Sequence, residues 1–136
     1  MQQMSSLRYR TLWLTLGWLQ ITAVWVLYLM PSPPSVDIGI DFLDKLVHFA
    51  TYAMLMGWFI QLYPHTRTRL FYAVGFIGMG MTIEILQGMG KARMFEAADI
   101  LANSLGVVLI SSIMHTRVNQ ILFTLEQQFI KYLRKN

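Results

Sequence analysis

Asp44, Lys45, His48 and Tyr52 form the first of three polar groups in an otherwise oily chain. Glu84 and Gln87 form the second, and Arg93, Asp99 and Asn103 the third. Together they supply acids, bases, amides and a phenol, the set that proton transfer or headgroup recognition requires. Asp44, His48 and Tyr52 recur at i, i+4 and i+8, so on a helix they form one stripe. At ~1.5 Å rise per residue, Tyr52 then lies about 12 Å along the axis from Asp44. Glu84 and Gln87 are i, i+3, and Asp99 and Asn103 are i, i+4, so each pair shares a helix face.

Two chemistries fit this set. In a catalytic site His48 would be the general base, held by Asp44 or Asp99. Glu84 would donate the proton, and Arg93 would clamp an oxyanion or phosphate. In a binding site Arg93, Lys45 and His48 would meet phosphate, while Asn103, Gln87 and Tyr52 hydrogen-bond sugar or amide groups. Structural roles compete with both. Asp44 can cap a helix, Lys45 can be merely interfacial, His48 can be a hydrogen-bonded core residue and Tyr52 a packed aromatic. Arg93 with Asp99 or Glu84 can be an ion pair that closes a loop. Polar groups on three separate oily segments nevertheless call for one shared reason, because such groups are costly in a bilayer and mark its working parts. No Ser or Cys accompanies His48 in these groups, which disfavours an acyl-enzyme. His48, Glu84 and Asp99 are an N/O set, yet no His-x-x-x-His or Cys pair exists, so neither metal nor cofactor is expected.

The elements that carry these residues follow from composition. The chain has 136 residues, 55% apolar and only 13% charged, with mean hydropathy +0.46, too oily for an ordinary soluble domain of this size. It has no cysteine, which excludes disulfides. The net charge of +4 does not point to nucleic acid, because the basic residues flank the oily runs, as beside a membrane surface. Four runs, about 12–30, 46–63, 70–86 and 99–114, approach the ~20 residues that span a bilayer. The last is short and begins with a polar turn. The first follows Arg8 and Arg10 and exceeds the ~7–15 apolar residues of a signal peptide, so it reads as a retained anchor. Gln20 and Thr22 within it read as packing residues.

Lys and Arg fix the expected orientation. Arg8, Arg10, Arg67, Arg69, Arg117, Lys131, Arg134 and Lys135 fall on one side, and Lys45, Lys91 and Arg93 on the other. Both termini are therefore expected in the cytoplasm, and all three polar groups at the outer face. After the last run, Val118, Ile121, Leu122, Leu125, Phe129, Tyr132 and Leu133 repeat at helical spacing. An amphipathic helix over about 117–135, lying on the inner leaflet, is expected; packing against a neighbouring subunit is the alternative. Gly75, Gly78 and Gly80 permit close helix contact and an oligomer. The fold expected is all-α: one domain over 1–136, a polytopic membrane four-helix bundle with a C-terminal interfacial helix, multi-pass in the cytoplasmic (inner) membrane.

The polar groups also carry a resemblance. The segment Asp44-Lys45-Leu46-Val47-His48-Phe49-Ala50-Thr51-Tyr52 resembles the Asp-Lys-x-x-His-Phe-x-x-Tyr signature of the VanZ-like membrane proteins. Glu84-Ile85-Leu86-Gln87 is similar to that family's Glu-x-x-Gln. Arg93, Asp99, Asn103 and Gly106 follow its Arg-x5-Asp-x3-Asn-x2-Gly. Order and spacing agree across residues 44–106, and the departure is Glu96, where the family more often has a small or hydroxylated residue. The resemblance implies an integral membrane protein of the cell envelope, in a family named for resistance to the glycopeptide teicoplanin. It supplies no reaction.

The function expected first is a binding protein, its outward-facing pocket holding a lipid-linked or glycopeptide-like ligand. The first alternative is a small intramembrane enzyme acting on such a lipid, with His48 as base. The second is a proton-coupled exporter using Glu84, which lies nearer the outer end than the mid-membrane position alternating access favours.

Overall fold

The computed structural model describes residues 7–30, 41–90, 94–113 and 121–135. Among these the chain is all-helical and has no strand. The helices are α1 (Arg10–Leu29), α2 (Asp41–Leu62), α3 (Thr66–Met89), α4 (Ala97–Ile113) and α5 (Ile121–Leu133). Each oily run lies in a helix, and Pro64 falls in the turn between α2 and α3, where a missing N–H costs nothing. Helix α2 starts at Asp41, a turn earlier than the oily run, so Asp44 and Lys45 belong to the helix itself.

Helix α2 is the centre of the packing and touches α1, α3 and α4. Its His48, Tyr52, Leu55, Met56, Phe59, Ile60 and Leu62 are all buried. Tyr52, Leu55, Met56, Phe59 and Ile60 meet Val24 of α1, Phe76 and Ile83 of α3 and Val107 of α4 in one core. The closest approach is between α2 and α4. A Cβ on Gly106 would lie 2.3 Å from the Phe49 carbonyl oxygen and 3.0 Å from the Ala53 nitrogen, both backbone atoms. Only glycine fits there. By contrast, Gly75 and Gly78 have nothing within 4 Å of a notional Cβ and leave a smooth exposed strip on α3.

The other end of the bundle is tied by α5. The Leu122 N–H donates to Gln61 Oε1 of α2 at 2.8 Å. Glu126, 1% exposed, accepts the backbone N–H groups of Arg8 and Tyr9 at 2.7 and 2.8 Å and the Trp13 indole at 3.0 Å. These are donors at the start of α1, where no side chain of α1 caps the helix. The described part of the tail therefore packs back on the bundle. Leu122 and Glu126, one turn apart, dock inward, while Leu125, Phe129, Tyr132 and Leu133 of the expected apolar stripe stay exposed. Burial alone would raise the Glu126 carboxyl. The N–H groups of Tyr9 and Arg8, the Trp13 indole and the Arg8 charge outweigh it and hold the group below its ordinary value.

Two helices, α1 and α3, are long and apolar enough to cross a membrane; α4 is apolar but shorter. Both leave most of their apolar surface exposed, as in Trp18, Leu19, Val26, Leu70, Phe71 and Val74. By length and composition these are helices suited to a membrane.

Two outcomes follow. Gly106→Ala should cost roughly 1–3 kcal/mol through overpacking, whereas Gly78→Ala should be neutral or slightly stabilising; thermal unfolding in detergent micelles checks the contrast. Glu126→Gln should lose about 1.5–3 kcal/mol, the worth of hydrogen bonds to a charged group. Because the folded carboxyl is held low, its contribution is complete above the ordinary 4.5 and disappears as pH falls toward the lowered value. The gap in unfolding temperature between the two proteins should therefore close below about that pH.

Candidate functional site

Successive turns of α2 present Asp44, His48 and Tyr52 on one face, and α4 brings Asp99 and Asn103 against it. His48 is 2% exposed and Tyr52 fully buried. The tight crossing at Gly106 sets this register, since Asn103 lies one turn before that glycine. His48 Nδ1 donates to Asn103 Oδ1 at 3.1 Å, because a carbonyl oxygen can only accept. Nε2 is then the ring nitrogen left to face Asp99 Oδ2, 3.6 Å away. Helix α3 makes room for this: a Cβ on Gly80 would lie 3.0 Å from Asn103 Nδ2 and 3.3 Å from the Tyr52 ring. Asp99 is acidic in the first turn of α4, where the helix dipole favours it.

Lys45, expected either to be interfacial or to meet phosphate, is drawn into a cluster of acids. Its ammonium pairs with Glu96, lies 2.8 Å from Asp99 Oδ1 and is 3.6 Å from Asp44 Oδ2. The contact with Asp99 is an ion pair to a buried carboxylate oxygen. The Lys45 side chain is only 23% exposed. Three carboxylates thus surround Lys45, one of the three groups that the sequence offered to phosphate. Glu96, the residue that departs from the family pattern, takes part directly.

The remaining expected residues separate. Glu84 is buried, and its Oε1 accepts the Glu96 backbone N–H at 2.7 Å, which anchors the segment entering α4. Glu84 Oε2 and the Tyr52 hydroxyl are shielded from solvent without a hydrogen-bond partner among the described residues. Gln87 is buried but points elsewhere, donating to the Tyr28 carbonyl at 2.6 Å and tying α3 to the end of α1. Arg93, and the pair expected with Glu84 or Asp99, lie outside the described residues. Asp99 is instead met by Lys45.

Beside this cluster, α1 and α2 enclose a cavity of about 370 Å³. Its lining runs from Gln20 to Tyr28 along α1 and back from Met54 to Asp44 along α2. Tyr28, Asp44 and His48 therefore share one end, while Val24, Leu27, Val47 and Met54 make the walls apolar. The Tyr28 ring meets the His48 ring edge-on at 4.7 Å, and its hydroxyl donates to Thr51 Oγ1 at 3.3 Å. Tyr28, Thr51 and Gln20 were not singled out by spacing. Thr51 is three residues past His48 and so shares its face; Gln20, read as packing, is a lone amide in an oily helix. Tyr28 gave no signal beyond being aromatic near a helix end. An apolar slot with converging polar groups at one end is the shape of a small-molecule site.

The family model described as VanZ/LLP1 matches residues 2–119, a stretch that contains α1 to α4 and all three polar groups and ends before α5. No curated protein and no solved structure matches the chain.

Lys45→Met leaves Asp99, 5% exposed, without its cation. The loss should fall between the ~1 kcal/mol of an exposed pair and the ~3–5 kcal/mol of a broken buried one. Thermal unfolding in micelles measures it, and an unchanged midpoint would show that the pair carries no weight.

Proposed function

The chain belongs to the VanZ/LLP1 family, and from that premise we propose that it is a multi-pass membrane protein of the cell envelope that binds an amphiphile. The observation that carries this reading is the α1–α2 cavity, with apolar walls and with Asp44 and His48 at one end. The apolar part of a lipid-linked or glycopeptide-like ligand lies along Val24, Leu27, Val47 and Met54. Its polar part meets the Asp44–His48 end and the Lys45 cluster beside it. The four helices α1 to α4 cross the bilayer, with both termini cytoplasmic and the polar cluster opening outward. Support for this orientation comes from the Lys/Arg distribution and from the position of Lys45, Glu96 and Asp99 at the same end of the bundle.

One observation favours a second reading. His48 is held by Asn103 with Nε2 turned to Asp99, the orientation an imidazole base needs. Under that reading the protein acts on the lipid that it binds, and His48 takes the proton. Glu84, the residue an exporter would use, is engaged by the Glu96 N–H, which favours an anchoring role.

Two measurements test these readings. Ala23 lines the cavity and is exposed at the surface of α1, so Ala23→Trp should fill the slot and abolish binding of a lipid-linked envelope intermediate while the helical signal persists. His48→Gln should weaken binding by about the 0.5–1.5 kcal/mol of one hydrogen bond with no product formed by either protein. A wild-type turnover lost by 10²–10⁴-fold in His48→Gln would establish the enzyme instead. For topology, single cysteines at Ser35 and Arg117 of this cysteine-free chain should label oppositely with an impermeant reagent, Ser35 from outside. Labelling of position 117 but not 35 in intact cells would reverse the orientation.

A further inference from the structure

We propose that Asp44, His48 and Asp99 hold a divalent transition-metal ion at the mouth of the α1–α2 cavity. One ligand atom from each lies within 4.8 Å of the other two. A tetrahedral ion bound at ~2.0–2.2 Å by imidazole nitrogen and carboxylate oxygen sets its ligand atoms about 3.3–3.6 Å apart, the separation of His48 Nε2 and Asp99 Oδ2. Asp44, whose side chain is half exposed, moves inward by about an ångström to complete the set.

Three further features point to a cation. First, His48 is 2% exposed and its Nδ1 is used by Asn103, so Nε2 is the ring nitrogen that faces Asp99 Oδ2 at 3.6 Å. A buried nitrogen and a carboxylate oxygen so placed share one positive centre, a proton on Nε2 or a metal ion in its place. Second, Asn103 does for His48 what the outer partners of metal-binding histidines do: it fixes the tautomer and the ring orientation. Third, the charges do not balance. Asp44, Glu96 and Asp99 carry three negative charges and Lys45 one positive. The buried Glu84 carboxyl, which holds the Glu96 N–H, lies beside them, so acidic groups outnumber Lys45 among the described residues. Lys45 does not block the position, since it lies against Oδ1 of Asp99 and the imidazole faces Oδ2. One nitrogen and two carboxylate oxygens suit Zn²⁺ or Mn²⁺ better than Ca²⁺ or Mg²⁺. No His-x-x-x-His or Cys pair announces the site, because its ligands come from two helices. This inference goes beyond the amphiphile reading and stands without it.

The test uses the full chain in nonionic micelles, stripped with a chelator and dialysed, then titrated with ZnCl₂ and MnCl₂ by calorimetry. One ion per chain is expected. Asn103→Ala should weaken binding by 10–100-fold, and Asp44→Asn by at least as much, while exposed His65→Ala should change nothing. Lys45→Gln should tighten binding, because a competing positive charge is withdrawn. With Mn²⁺, electron paramagnetic resonance should show coupling to an imidazole nitrogen that is lost in His48→Gln. If that variant does not fold, Asp44→Asn, altered at an exposed side chain, still decides the matter. Wild-type protein that takes up no ion at millimolar metal would overturn the proposal. So would binding that Asp44→Asn and Asn103→Ala leave unchanged.

Discussion

The approach of α4 to α2 at Gly106 is the constraint from which the site follows. A backbone oxygen of Phe49 lies where any Cβ on residue 106 would be, so the two helices meet closer than side chains normally allow. That contact fixes the register of α4 on α2. One turn along, it places Asn103 beside His48, and a further turn along it places Asp99 beside both His48 and Lys45. Gly80 extends the same logic to α3, since its missing side chain is the space that Asn103 and Tyr52 use. Backbone proximity, hydrogen bond and ion pair are thus successive consequences of one crossing. In a chain whose helices are mostly apolar, such polar contacts between helices also help determine which faces turn inward.

The two ends of the bundle are held by different chemistry. At one end, charge gathers: Lys45 is drawn into three carboxylates, and the Glu96 N–H is fixed by Glu84. At the other, a single carboxylate from α5 serves the start of α1, and aromatic rings fill the gaps. Trp13 and Trp58 meet edge-on at 5.7 Å, and the Trp58 indole donates to the Trp13 carbonyl at 3.0 Å. Between the ends α1 is held to α2 mainly by packing, and there the cavity opens. A ligand that entered would separate apolar surfaces and leave the charged cluster intact. Under the proposed amphiphile reading, this division would keep the polar end in shape while the slot takes an apolar chain, the preorganisation that binding favours.

Much of the helical framework was legible in the sequence, because long apolar runs report directly on helices that need apolar surroundings. Less legible was the start of α2. Asp41 to Lys45 is polar and looks like a loop to hydropathy, yet it is helical and carries half of the charged cluster. The stripe of Asp44, His48 and Tyr52 followed from periodicity alone, and Thr51 was available by the same rule. Partners were not. The Lys45–Glu96 pair joins residues 51 apart, and Glu126 reaches donors 117 and 118 positions away. Spacing within one helix carries no information about such contacts, so neither the carboxylates around Lys45 nor the donors around Glu126 could be read from it. Gln87 shared its motif with Glu84 but serves α1, because two residues on one helix face can still meet different neighbours.

The central claim is that the α2–α4 crossing holds His48 by its Nδ1 and turns Nε2 toward Asp99. Nitrogen-15 spectra of the full chain in micelles, with histidine labelled and His48 assigned by substitution, read this tautomer directly. The account predicts a His48 ring protonated at Nδ1, with Nε2 bearing the lone pair, and a loss of that preference in Asn103→Ala. A ring protonated at Nε2, with Nδ1 bare, would contradict it, because Asn103 Oδ1 would then have no donor.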